Sequence, residues 1–377
     1  MLIKAIPAVS VTGTSSDTTL AVVATAVVGA SDAVTITVNG VATGTSDNAL
    51  VTVNGIETIN VVAAGSASGS SASTVNFASD APVSFNVTGT TAKVAVTLGG
   101  ASAAVTGVVT SDAGAHDINL TNFASTSKLS ADLGAGNDTL RVGSIAATHT
   151  IAGGEGTDTL IYSANTAVVP ALTANVTGFE SVTLSNAAPA SFGLAGVSTV
   201  TYMSAAGGTY SGLATGGTLN LERGGAATLA ATYSATATTP TAYSGAADSL
   251  TVNVGKATTT TGTAITTATV SSSGIESVTI NNLAAASNLD ARTVGVIDNV
   301  ATTGSTTSLT VTGAQATTVT ASGTAALKTV NLSGITAGAT FAGTVSTTGA
   351  TITFTLYWGE AGNEHRFTGS SSASTLF

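Results

Sequence analysis

The 377-residue chain has no cysteine, which excludes disulfides, Cys-ligated zinc, iron–sulfur clusters and thiol catalysis. Charge is almost as scarce. Asp, Glu, Lys and Arg make up 7% of the residues, against about 25% in an average soluble protein. The nine Lys and Arg lie scattered between Lys4 and Arg366, so no basic stripe exists to displace counterions, and no nucleic-acid partner is expected. No apolar run of about 18 residues is present, so no membrane span is expected. The start, Met1 to Pro7, does not read as a secretory signal, and an exported protein would carry its signal elsewhere or have lost it. Aromatic residues are 4% of the chain, with one tryptophan, Trp358. The three histidines, His116, His149 and His365, are widely separated. The local acid–imidazole neighbours are His116 with Asp117 and His365 with Glu360 and Glu364, and each of these is expected on the surface or in a turn. There is no H-E-x-x-H, no G-x-S-x-G elbow and no phosphate-cradling loop. Catalysis needs convergent groups, and the expectation is that the protein is not an enzyme.

What remains is apolar and hydroxylic. Hydrophobic residues are 43% of the chain, enough for a core and unlike a disordered composition. Polar surface must come from Thr, Ser, Asn and Gly, and a surface with few charges has little repulsion to oppose self-packing. The 19 Asp and Glu outnumber the cations to a net −10. Their charge calls for a divalent metal, and oxygen ligands select hard ions such as calcium. Short alternation dominates, as in Val83-x-Phe85-x-Val87, Val94-x-Val96-x-Leu98 and Leu250-x-Val252-x-Val254, and period 2 with Thr, Val and Ile predicts strands. Helical candidates such as the Ala-rich Leu283–Leu289 carry little weight. Composition suggests three segments: 1–110, rich in strand alternation; 111–190, with carboxylate-bearing Gly turns; and 191–377, rich in Thr and Ala.

A weak repeat emerges when glutamates are aligned. Gly55-Ile56-Glu57-Thr58-Ile59, Gly178-Phe179-Glu180-Ser181-Val182 and Gly274-Ile275-Glu276-Ser277-Val278 share one template. An Asp-led segment precedes each, at Asp32, Asp158 and Asp248. Modules of this kind point to a repetitive protein. Each Glu could ligate a metal. The plainer and favoured reading is a turn carboxylate accepting backbone N–H bonds, as the burial rule for charges requires.

The sharpest motif is Gly153-Gly154-Glu155-Gly156-Thr157-Asp158-Thr159-Leu160-Ile161. It matches the nonapeptide G-G-x-G-x-D-x-U-x, with U apolar, at every defined position. Leu133-Gly134-Ala135-Gly136-Asn137-Asp138-Thr139-Leu140-Arg141 matches except for Leu133 at the first glycine. Glycines let the backbone turn its carbonyls inward, and the Asp adds a charged oxygen.

On these residues the chain resembles the RTX family of calcium-binding, type I-secreted bacterial exoproteins, strictly over 133–161. Its low charge, Thr/Ala/Gly bias and Glu modules are similar to those of the surface-layer proteins of that group. The resemblance implies an all-β, elongated repeat protein with a parallel β-roll or β-solenoid segment and further β modules. It also implies a calcium ion shared by Asp138 and Asp158 with carbonyls of Gly134, Gly136, Gly154 and Gly156, the candidate site including Asn137 and Glu155. The tail 369–377 could be a degenerate nonapeptide with Ser374 at the Asp position, or part of a type I secretion signal.

The expected function is therefore structural: a secreted, extracellular protein at the cell surface, self-assembling into a calcium-dependent surface layer. Its main partner would be itself, with a cell-surface glycan as a further one. Two alternatives remain. A carbohydrate-active β-helix enzyme would combine carboxylates and calcium, but it normally needs a groove lined with aromatics and cations. The run Leu356-Tyr357-Trp358-Gly359-Glu360 offers a sugar platform, a lattice contact or, more simply, a hydrophobic plug. An adhesin or ice-binding solenoid would present Thr-x-Thr on every coil. Ser308-Leu309-Thr310-Val311-Thr312 holds one such pair, with no constant repeat around it.

Overall fold

A computed structural model describes residues 8–12, 18–19, 32–39, 49–52, 56–64, 73–78, 83–89, 94–98, 105–110, 113–121, 129–163, 175–184, 191–193, 197–202, 208–211, 213–221, 229–233, 247–255, 267–272, 275–283, 292–298, 306–314, 317–322, 327–336, 339–343, 351–353, 366–368 and 375–376. They are strands and turns, with no α-helix among them, as the alternation predicted. No helix of the described residues is long and apolar enough to cross a membrane. The chain divides into two compact units, 1–164 with 171–182, and 165–170 with 183–377.

The first sixteen strands, which belong to the first unit as far as Val182, are β1 (Val9–Thr12), β2 (Thr18–Thr19), β3 (Ala33–Asn39), β4 (Ala49–Thr52), β5 (Thr58–Ala64), β6 (Ser73–Ala78), β7 (Val83–Thr88), β8 (Val94–Leu98), β9 (Val105–Thr110), β10 (Asp117–Leu120), β11 (Ser130–Asp132), β12 (Thr139–Val142), β13 (Thr150–Ala152), β14 (Thr159–Tyr162), β15 (Val176–Thr177) and β16 (Ser181–Leu184). Odd-numbered strands follow one another in one sheet and even-numbered strands in another. The pairings are parallel, as between β3 and β5 or β10 and β12. The chain thus crosses from one sheet to the other and back, and each odd–even pair is one coil of a β-solenoid. The alternating runs that begin at Val83 and Val94 are the two halves of a single coil.

The second unit repeats this plan with β17 (Ser191–Gly193), β18 (Thr199–Tyr202), β19 (Gly208–Ser211), β20 (Gly217–Leu221), β21 (Leu229–Tyr233), β22 (Ser249–Val254), β23 (Thr267–Ser272), β24 (Ser277–Asn282), β25 (Arg292–Asp298), β26 (Ser308–Gly313), β27 (Thr317–Ser322), β28 (Thr329–Ile335), β29 (Ala339–Gly343), β30 (Thr351–Thr353), β31 (Arg366–Thr368) and β32 (Thr375–Leu376). Odd and even strands again occupy separate sheets.

Period 2 decides which side chains enter the core. Phe85 lies between Ile59 and Val108 in register, and Val252 between Leu219 and Ile280. Phe85, Ile59, Leu219, Val252 and Ile280 are all buried, and each such side chain contributes about 1.5–3 kcal/mol. The intervening residues face outward. In the even sheet of the second unit they form columns of one chemistry. Thr199, Thr218, Thr251, Thr279, Thr310 and Asn331 are in register. Beside them Thr201, Asn220, Asn253, Asn281 and Thr312 make a hydrogen-bonded ladder at 3.2, 2.7, 2.8 and 2.8 Å. Coil length is not constant. A short coil separates the partners Ser191 and Thr209, and a far longer one separates Leu229 and Ala268.

Candidate functional site

The residue just before a strand is where the acidic side chains collect. Asp158 Oδ1 accepts the backbone N–H of Asp138 at 2.7 Å, across one coil. Asp138 Oδ1 does the same for His116 at 2.7 Å, and Glu180 Oε2 for Asp158 at 2.8 Å. Successive coils are thereby linked through one position, His116–Asp138–Asp158–Glu180. The backbone reinforces each rung, because Thr139, Thr159 and Ser181 donate to the carbonyls of His116, Asp138 and Asp158. Asp138 and Asp158 are 1% and 0% exposed, which places carboxylates where desolvation is expensive.

The aligned glutamates obey the same rule. Glu57 Oε2 accepts the N–H of Asp32 at 2.8 Å, and Glu276 Oε2 that of Asp248 at 2.9 Å. The Asp before each Gly-x-Glu template is therefore the residue stacked on that Glu one coil away. The favoured reading of these glutamates, as acceptors for backbone N–H groups, is what the geometry contains. Stability should follow it. Glu276→Ala leaves the partly buried Asp248 N–H without its acceptor and is expected to cost about 1–3 kcal/mol. Glu276→Gln keeps an oxygen in place and should cost less, read as the urea midpoint at constant slope. Equal losses from the two substitutions would count against the ladder.

The glycine turns lie directly before the Asp rungs. Gly136 N–H donates to the Glu155 carbonyl at 2.9 Å, and Glu155 N–H to the Gly134 carbonyl at 2.8 Å. Gly134, Gly136, Gly154 and Gly156 all have positive φ. Leu133, which replaces the first glycine of the nonapeptide, is fully buried and adds to the core. Asn137 Oδ1 accepts the N–H of Thr157 at 2.9 Å on the exposed side of the turn, while Glu155 is exposed at the turn surface. The proposed ligand set is thus brought to two stacked turns, and its oxygens are already partly used. Each Asp spends Oδ1 on a neighbour's N–H, and the Gly134 carbonyl accepts one bond of the two it can take. Asp158 Oδ2 is buried and accepts no hydrogen bond. Burial raises the Asp158 carboxyl above its ordinary range; the Asp138 N–H opposes this and the charge of Glu180 adds to it. Among the described residues no three or more His, Cys, Asp or Glu side chains converge as a metal-holding group, so an ion here would lean on backbone carbonyls.

Sequence reasoning missed the third turn. Ala113–His116 is one coil before 135–138, and a Cβ on Gly136 would meet the Gly114 carbonyl at 2.6 Å. The signal was Gly114-x-His116, one coil ahead of Gly136-x-Asp138, hidden because His stands at the Asp position. His116 lies in a turn, one of the two places expected for it, but it is not on the surface. His116 and His149 are 0% exposed. His116 is held by its place in the ladder, and the His149 ring turns inward because its Nδ1 accepts the N–H of Ala146 within the same turn, at 3.2 Å. His365, Glu360, Glu364, Trp358, the segment 284–289 and the tail apart from β32 lie outside the described residues. Arg141 forks onto Asp117 at 2.9 and 2.8 Å; with Arg141 36% exposed, that pair contributes at most about 1 kcal/mol.

Comparisons with protein families, with curated proteins and with solved structures return no match to this chain.

Proposed function

We propose that the chain is a structural, extracellular building block that assembles into a calcium-dependent surface layer or array. One observation carries the calcium dependence: the buried Asp158 Oδ2, with no hydrogen bond, on a ladder between Asp138 and Glu180. Rungs of a parallel stack are about 4.8 Å apart. Like charges at that spacing repel by about 3 kcal/mol at an effective dielectric of 20. A hard cation taking Asp158 Oδ2, the Asp138 carboxylate and carbonyls of the 134–136 and 154–156 turns would supply the missing positive charge. The donor set is all oxygen, which suits calcium.

Linkage turns the site into a switch. An ion bound only by the folded turns stabilises them by about 2.7 kcal/mol at a hundredfold excess over its Kd. Outside a cell, where calcium is abundant, the turns would set; inside, the chain would stay looser and exportable. The low charge of the chain and its coil repetition favour a scaffold role, because copies can pack with little repulsion. Electron microscopy of the purified chain in millimolar calcium, then in chelator, tests the reading. Ordered sheets or filaments lost on chelation are expected. Monodisperse particles in both conditions, with an unchanged melting temperature, would sink it.

A further inference from the structure

The outward columns of β18, β20, β22, β24, β26 and β28 carry Ser, Thr and Asn and no charged side chain. Composition alone does not produce this. In the first unit the comparable outward column of the even sheet runs Asn119, Arg141, Ile161, and its neighbour contains Asp117. The second unit has kept one chemistry on its face although its coils differ in length, the step from Thr199 to Thr218 being much shorter than that from Gly217 to Leu250.

The face is also held still. Thr is stiff at χ1, and the amides of Asn220, Asn253 and Asn281 are chained at 2.7 and 2.8 Å. An amide bonded once as donor and once as acceptor keeps one N–H and one lone pair for a ligand. Strand geometry sets the net. The groups recur about every 4.8 Å along the stack and about every 6.6 Å along each strand.

Three kinds of occupant compete for such a face. A sugar chain would want aromatic rings to stack on, and the columns contain none. A second copy would cover a patch of about 24 by 13 Å, or roughly 300 Å². That is well under half of the roughly 800 Å² that each partner buries in a stable interface, and every hydroxyl would need a new partner. Ordered water meets both objections. Each group on the net both donates and accepts, bridging water is immobilised at little cost, and two fixed repeats would impose a regular order on the water they hold. We infer that this face of the second unit binds ice, the Thr and Asn columns holding a layer of lattice-ordered water. A single chain suffices, so the inference stands apart from the surface-layer reading.

Thermal hysteresis and partition into a growing ice hemisphere test it on the full chain at neutral pH. The wild type should shape ice crystals, show hysteresis and enter the ice. Thr251→Lys with Thr279→Lys, at the centre of the net, should lose all three while circular dichroism shows it folded; Thr279→Lys alone serves if the pair does not fold. Thr35→Lys with Thr37→Lys, outward on β3 of the first unit, should behave as the wild type. A wild type without hysteresis that stays in the liquid overturns the inference, as does an equal loss in the β3 variant.

Discussion

Replacing Gly156 by alanine is expected to destabilise the turn-bearing first unit by more than about 4 kcal/mol, a loss that single substitutions rarely reach. A Cβ on Gly156 would stand 1.8 Å from the Gly136 carbonyl oxygen, and its φ is +131°. Gly154 is in the same position, 1.9 Å from the Gly134 oxygen at φ +108°. The obstacle is backbone, and that backbone is fixed by the bonds of Gly136 and Glu155 to the opposite turn. Relief would need the two coils to separate. Gly216 supplies the control. It too has positive φ, +76°, but its nearest neighbour is the Ser249 hydroxyl at 3.9 Å. Gly216→Ala should cost only the left-handed backbone penalty, about 1–2 kcal/mol. Urea unfolding of the two variants separates steric exclusion from conformational preference. A Gly156→Ala midpoint close to that of Gly216→Ala would show that the turns do not stack as described.

The second large effect belongs to Asp158. Its carboxyl is raised above the ordinary range, mainly by burial, so without metal the folded chain holds that proton more tightly than the unfolded chain. The favourable contribution is complete below the ordinary carboxyl range and is lost as pH rises through the raised value. Calcium acts in the opposite sense, since it binds the ionised group and competes with the proton. The calcium-induced rise in melting temperature should therefore be greatest at neutral pH and shrink as pH falls through the raised Asp158 value. At a hundredfold excess over Kd, about 2.7 kcal/mol of linkage corresponds to a rise of about 5–10 °C for units of this size. Asp138→Ala with Asp158→Ala should abolish it. A double variant that still gains the full increment places any ion elsewhere, and an increment that ignores pH removes Asp158 from its ligands.

Several features are legible in the sequence alone. The runs at Val83, Val94 and Leu250 became β7, β8 and β22 because alternation reports which side of a pleat a residue faces, and that is local. The Gly-rich turns before Asp138 and Asp158 were legible because left-handed backbone and a following carboxylate are written in adjacent residues. The Glu template was legible in part. Its chemistry as a backbone acceptor could be argued from the cost of burying charge, and the Asp before each copy was visible.

The partners were not. Glu57 serves Asp32 and Glu276 serves Asp248, each from one coil away, and no local rule predicts either separation. His116 looked like a surface residue because an isolated imidazole usually is one; stacking buried it beneath Asp138. The single-chemistry face of the second unit is hidden in the sequence in the same way, because several coils read Thr-x-Asn in place of Thr-x-Thr and their spacing varies. Coils of unequal length put Thr218, Thr251, Thr279 and Thr310 out of step along the chain, yet their parallel register brings them to one face. The sequence by itself determined an all-β chain, its inward and outward residues, and two Gly-rich turns that each lead into an Asp. Only the tertiary structure decided which carboxylate caps which coil and which hydroxyls share a surface. Side-chain alternation and turn chemistry depend on neighbours in the chain, whereas register between coils depends on loops of unequal length and is settled when the stack closes.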